Sequence, residues 1–182
     1  IRFEEHWTSD RIARFLSESG IPFTRGHAKG TGIMATIAGE GDRCIALRAD
    51  MDALEIQEVT GLPYASRIPN RMHACGHDNH VSILMGVAEA LASMKADLPG
   101  TVMFIFQPAE EGAPPGEEGG AELMLKEGIF DSPKPDAVFG LHVFPGPVGQ
   151  VSYKPGALMA SGDTFHIKVR GKLINAKLQN RE

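Results

Sequence analysis

Of the six residues from Thr101 to Phe106 (TVMFIF), only Thr101 carries a polar side chain. A β-leaning run with no polar face to turn toward water forms a strand buried on both sides, which belongs in a sheet covered by helices above and below. The rest of the chain supplies those layers. Thr8 to Ser19 places Ile12, Phe15 and Leu16 at helical spacing, with hydroxyls at its start and Gly20 as a stop. A second helix is expected from Asn79 to Lys95, with Ile83, Leu84, Val87, Ala88 and Leu91 on one face and Asp78 or Asn79 as its cap. Gly120 to Glu127 reads as a short helix closed by Gly128. Further strands are expected at Ile33 to Ile37, Cys44 to Ala49 and, as a buried strand, Ala137 to Val143. The turn-rich Ala38 to Arg43 predicts that the first two form a hairpin. Strands alternating with helices predict an α/β fold, a central mostly parallel sheet with helices on both faces. Beyond Gly146 the pattern changes, and Gly149 to Tyr153 and Thr164 to Val169 alternate as strands do.

Composition narrows the partners. A chain of 182 residues, 42% hydrophobic, holds one substantial core. Its net charge of −5, with no basic cluster among aromatics, excludes nucleic acid as the expected partner and leaves small molecules. Cys44 and Cys75 are too few for a disulfide framework, which suits a reducing compartment. No apolar stretch approaches the roughly 18 residues of a membrane span, and no signal-peptide pattern opens the chain, so a cytoplasmic location is expected.

Polar residues with chemical potential fall at strand ends. Asp50 and Asp52 follow one strand, Glu110 and Glu111 follow another, and His142 closes a third. In open α/β sheets the carboxyl ends of strands are where ligands bind. Between the first two lies His73-Ala74-Cys75-Gly76-His77-Asp78-Asn79-His80, with three imidazoles, a thiol and a carboxylate in eight positions. Such a donor set suits zinc, with manganese, cobalt or nickel where carboxylates join. Each residue also has a plainer reading. Cys44, in an apolar run, is a core residue. Asp78 fits a helix cap as well as a metal ligand. Glu110 and Glu111 suit a solvated loop, or a held pair whose repulsion favours a cation or a raised pKa. His142 suits a core position or a ligand. His6, His27 and His166 lack acidic or thiol company and are assigned to surface or packing. Gly30 to Ala35 loosely matches a dinucleotide loop, but no strand precedes it. Walker and G-x-S-x-G motifs are absent. A structural zinc site would be expected to use paired C-x-x-C units, which are also absent.

Five stretches in order, ALRADMDAL (Ala46 to Leu54), MHACGHD (Met72 to Asp78), GTVMFIFQPAEEG (Gly100 to Gly112), GLH (Gly140 to His142) and DTFHIKVRGK (Asp163 to Lys172), resemble the M20 peptidase family. The likeness is to its hippurate hydrolases and indoleacetyl-amino acid amidohydrolases. It implies two divalent metal ions and hydrolysis of the amide bond of small N-acyl-amino acids. By that resemblance Cys75 is a bridging thiolate, His77, Glu111 and His142 are further ligands, and Glu110 is the general base. Asp52 orients a metal-binding histidine, and Asp50 stands nearby without an assigned role. Residues 1–162 then correspond to the metal-binding catalytic domain and 163–182 to the start of a lid and dimerisation domain, most of it absent. The complete enzyme would be a homo-oligomer. Family members continue with a Gly-Gly-His run and return to supply a last histidine ligand; Leu173 to Glu182 match no such continuation, and Glu55 replaces a common proline. The chain is therefore expected to be incomplete, and the rival reading is a catalytically inactive metal-binding or interaction module.

Overall fold

The sheet comprises β1 (Phe23–Gly26), β2 (Gly32–Ile37), β3 (Cys44–Asp50), β4 (Thr101–Gln107) and β5 (Ala137–Gly140), in the spatial order β1-β2-β4-β3-β5. These assignments come from a computed structural model that describes residues 1–156, 158–159 and 167–171. β3 runs parallel to both β4 and β5, while β2 is antiparallel to both β1 and β4, so β2 alone opposes the other four. The TVMFIF run is the central strand, as its composition requires. Alternation sends Val102, Phe104 and Phe106 to one face and Met103 and Ile105 to the other, and all five are buried.

Each face meets a different layer. Helix α1 (His6–Glu18) and α3 (His77–Ser93) cover one side, where Ile12, Leu16, Val81, Leu84 and Ala88 pack against Phe104, Phe106, Ile33 and Ala49. On the other, Met124 of α4 (Gly120–Lys126) and Ile129 join Cys44, Ala46, Met103 and Ile105. Between β1 and β2 lies α2 (His27–Gly30), a single turn whose Ala28 and Lys29 are left-handed. A short 3₁₀ turn, Lys95–Asp97, leads into β4.

The expected hairpin does not form. β4 lies between β2 and β3, so the Ala38 to Arg43 connection bridges two strands that never pair. It crosses the chain entering β4, where Glu40 N–H donates to Leu98 O at 2.9 Å and Thr101 N–H donates to Arg43 O at 2.8 Å. Gly39 allows the passage, since a Cβ there would collide with the carbonyls of Leu98 and Gly100. The physical reason is the apolar β4, which gains a ladder and apolar neighbours on both edges by inserting.

Two other expectations change. β5 stops at Gly140 and is an edge strand, not a buried one, leaving Val138 and Phe139 half exposed. Gly149 to Tyr153 forms no strand, and Val151 and Tyr153 are exposed. Part of the expected Thr164 to Val169 strand lies outside the described residues, and Ile167 to Val169 are not in a strand. The chain divides into two compact units, Ile1–Phe144 and Pro145–Glu182; the first holds every helix and strand among the described residues.

Leu47, Ile83, Val87, Phe139 and Leu141 line a shallow, mostly apolar groove of about 200 Å³ beside β5. An apolar groove next to a strand edge, both left uncovered by the described residues, favours association. The purified chain should therefore self-associate in light scattering and bind a hydrophobic dye, and Phe139→Lys with Leu141→Lys should shift it toward monomer. A wild-type monomer that ignores the dye would contradict this.

Candidate metal centre

Three parallel strands end side by side, and their continuations carry the donors. β3 ends at Asp50 and leads to Asp52, β4 leads through Gln107-Pro108-Ala109 to Glu110 and Glu111, and β5 leads to His142. The fourth contribution comes from α3. Its N-cap is Gly76, in the left-handed region at φ 91°, so the helix starts at His77, two residues earlier than the capping pattern predicts. Asp78 is thereby neither cap nor member of a donor cluster; it lies in the first turn, where its carboxylate favours the helix dipole. His77 and His80 are one turn apart on the face toward the sheet, and both are buried.

Asp52, fully buried, ties two contributions together. Its Oδ1 lies 3.2 Å from His77 Nδ1, and its Oδ2 accepts the backbone N–H of Glu111 at 2.9 Å. With Nδ1–H donated to a carboxylate, His77 Nε2 is left with a lone pair. That atom faces Asp50 Oδ2 at 3.6 Å and carboxylate oxygens of Glu110 and Glu111 at 3.8 Å each. His142 shows the same arrangement. Its Nδ1 donates to Val143 O at 2.7 Å, and its Nε2 lies 3.4 Å from Cys75 Sγ. Donor atoms of Cys75, His77 and His142 lie within 4.8 Å of one another, and so do those of His77, Glu110 and Glu111. Of the four ligands expected from sequence, Cys75 and His142 meet His77 in one group, and Glu111 meets His77 in the other.

Turn geometry delivers the two glutamates. Ala109 is left-handed at φ 48°, an uncommon conformation for a residue with a Cβ, and its N–H donates to the buried carboxylate of Glu5 at 3.1 Å. The other Glu5 oxygen accepts from Thr31 Oγ1 at 2.9 Å. On the far side of the turn, Gly120 N–H donates to Ala109 O at 3.3 Å; a Cβ on Gly120 would overlap the Pro108 carbonyl. The sequence pattern gives Glu5 no role and His80 none beyond its place among the three imidazoles of His73 to His80. For His80 the signal was its spacing of three from His77; for Glu5 no local signal existed.

Buried charge shapes the acid–base properties. Burial pushes the Cys75 thiol up to about 12, reinforced by the nearby Glu111 carboxylate. Burial also raises Glu110, opposed by Arg48 and reinforced by Asp50. Arg48 donates to Asp50 Oδ2 at 2.7 Å and to Gln107 Oε1 at 2.8 Å, the only guanidinium held among these acids within the described residues. For Asp52 burial is outweighed by hydrogen bonds from His77 and the Glu111 N–H, and its pKa falls below 3.8. For His77 burial is likewise outweighed by Asp52 and Asp50, and its pKa rises above 6.5. Two buried polar atoms remain without any partner at the heart of the cluster, His77 Nε2 and Glu111 Oε1. Unpartnered buried donors of this kind, beside a thiol and two carboxylates, fit a divalent cation.

A family model described as Peptidase family M20/M25/M40 matches residues 46–179. The chain is 44% identical over 182 residues to an N-acetylcysteine deacetylase of Bacillus subtilis, covering 99% of this chain and 46% of that protein. It is 42% identical over 172 residues to a hippurate hydrolase of Campylobacter jejuni, covering 93% and 43%. Among solved structures, a Bacillus subtilis protein described as a dinuclear metal-binding peptidase from the M20 family superposes with a TM-score of 0.72 at 44% identity, over 80% of this chain and 39% of that one. A second, a putative aminohydrolase of Staphylococcus aureus by its own description, does so at 0.72 and 41%, over 79% and 37%. The chain thus spans less than half the length of the curated relatives it matches.

A pH-dependent stability follows for chelator-treated protein. His77, raised in the fold, contributes stability that is complete below its unfolded value of 6.5 and lost as pH rises through its folded value. Asp52, lowered in the fold, contributes stability that is present above 3.8 and lost as pH falls through its folded value. The pair is worth most between 3.8 and 6.5. Asp52→Asn should cost about 1.5 to 3 kcal/mol there, the scale of a hydrogen bond to a charged group, and progressively less outside that window. Thermal melts of both proteins across pH measure this; parallel profiles would exclude the coupling.

Proposed function

The chain belongs to peptidase family M20/M25/M40, and from that premise we propose that it is the metal-binding part of a hydrolase that cleaves the amide bond of small N-acyl-amino acids. The relatives named N-acetylcysteine deacetylase and hippurate hydrolase support this substrate class, since the names describe removal of an acyl group from an amino acid. The observation that carries the reading is the pair of buried, unpartnered atoms, His77 Nε2 and Glu111 Oε1, inside a cluster of thiol, imidazole and carboxylate.

In this proposal Cys75, His77, Glu111 and His142 hold two divalent ions, zinc or else manganese, cobalt or nickel. Bound ions of this kind polarise a carbonyl and acidify water, so that hydrolysis proceeds near neutral pH. The protein's own groups then divide the work. Cys75 would bind as the thiolate, and Glu111, fixed by its backbone bond to Asp52, would offer its carboxylate. Asp52 fixes the His77 tautomer and aims its Nε2 inward. Glu110 is the proton carrier. Its side chain is 39% exposed, enough to meet substrate, and its raised pKa brings it closer to the working range of a general base. It accepts a proton from the water that adds to the amide carbon and delivers it to the departing nitrogen, giving a carboxylic acid and a free amino acid. We assign residues 1–162 to this catalytic part and 163–182 to the start of a second domain. Free Cys44 and Cys75 suit a cytoplasmic, reducing setting. No helix among the described residues is long and apolar enough to cross a membrane.

The adjacent glutamates give the discriminating test, in a chain extended to the length of its relatives. Glu110→Gln should retain metal and lower kcat by roughly 10² or more, the scale of general-base catalysis. Glu111→Gln should lose metal on gel filtration, because a neutral amide replaces an anionic ligand. The reverse outcome exchanges the two roles. If both variants keep metal and near-normal turnover of acetyl-, benzoyl- and indoleacetyl-amino acids, the mechanism is refuted. Metal binding without turnover in the extended wild type would favour the inactive module.

A further inference from the structure

Asp50, His77 and His80 form a third group of donors close enough for an ion, but His80 has no free nitrogen. Its Nε2 accepts the backbone N–H of Val143 at 2.9 Å, which puts the ring proton on Nδ1, and Nδ1 donates to Asp50 Oδ1 at 2.6 Å. A lone pair engaged by an N–H is not available to a cation. His80 therefore stands behind the donor cluster.

What it grips is the segment that carries His142. The β5 ladder ends at Gly140, and the backbone beyond it has no strand partner among the described residues. Within that segment Val143 is bound on both sides of its backbone: its N–H is held by His80, and its carbonyl accepts His142 Nδ1–H at 2.7 Å, so that Nε2 carries the lone pair and accepts the Cys75 thiol at 3.4 Å. The Val143 side chain lies against Gly76, between Cys75 and His77, where a Cβ would overlap it. Asp50 is in turn fixed by Arg48 at 2.7 Å and is almost wholly inaccessible, as is His80. An unbroken chain of hydrogen bonds thus runs from the end of β3 to the imidazole of His142.

We propose that His80 is a positioning residue: with its tautomer set by Asp50, it seats Val143 and thereby aims His142 Nε2 into the metal centre. The inference rests on His142 being a ligand, as argued above. It is sharper than a structural role for a buried histidine, because it predicts which substitute works. The amide end of glutamine reaches the position of Nε2 and can accept the Val143 N–H. Asparagine reaches only the position of Nδ1, so it satisfies Asp50 but leaves Val143 unheld.

Cobalt(II) binding, followed by visible absorption against a competing chelator, reads this without any turnover. His80→Asn should weaken cobalt binding about 10- to 100-fold, the scale seen when a ligand's supporting partner is removed, and His142→Ala, which removes the ligand, at least as much. His80→Gln should stay near wild type, and His80→Asn added to His142→Ala should cost nothing more. The proposal is overturned if His80→Asn binds like wild type, if His80→Gln falls as far as His80→Asn, or if the two losses add. A silent His80→Asn beside a damaging His142→Ala sinks this inference and leaves the ligand assignment standing. A silent His142→Ala, or wild type that binds no cobalt, removes the assignment and this inference together. Should His80→Asn fail to fold by circular dichroism, hydrogen exchange in the wild type decides: the Val143 amide should be protected although it belongs to no ladder. Exchange there at the rate of an unstructured amide would refute the proposal.

Discussion

β4 has no polar face and therefore no tolerable place except the middle of a covered sheet. Much of the molecule follows from burying it. Helices α1 and α3 pack on Phe104 and Phe106, while Met124 of α4 packs with Met103 and Ile105. The strand also demands a partner on each edge, which separates β2 from β3. Because β3 and β5 run in the same direction as β4, the three strands release their following residues at one edge of the sheet. The donor cluster is assembled there from four segments separated in the sequence.

Bringing those groups together creates an electrostatic problem that the fold only partly answers. Asp50, Asp52, Glu110 and Glu111 approach one another around two buried imidazoles, with Arg48 as the counter-charge at Asp50. Asp52 has its charge satisfied by an imidazole and an amide N–H, and its pKa drops. Glu110 and Cys75 do not, and both are pushed toward their protonated forms. The same burial thus distinguishes an acid that orients, an acid suited to carry protons, and a thiol that yields its proton only when a cation takes its place. Glu110 and Glu111 are neighbours in sequence, yet one is bound through its backbone to Asp52 and the other stays more open to solvent.

Support around the donors is as specific as the donors themselves. Glu5, from the start of the chain, holds the left-handed Ala109 just before Glu110. Gly76 lets α3 begin at His77 and leaves room for Val143. These contacts are not ligands, but each fixes the backbone of a residue adjacent to one. A site built on loops after strand ends depends on such anchors, because no ladder bonds continue into it.

Sequence by itself determined the α/β class, the central strand, the faces of the two long helices and the candidate donors. Those properties are written in local periodicity and in residue type: a run without polar positions, apolar residues at helical spacing, and a dense group of His, Cys and Asp in His73 to His80. Tertiary structure alone decided the rest. The hairpin was misread because turn composition shows where a chain reverses, not which strand inserts between the arms. The apolar residues of β5 suggest burial, but burial depends on a neighbour, and among the described residues β5 has one only on its β3 side. Asp78 lost its capping role when the left-handed Gly76 started the helix early. His80 and Glu5 acquire their meaning only from the peptide groups of Val143 and Ala109. A backbone N–H has no residue-specific signature, so which one a buried side chain satisfies is settled by packing between distant segments.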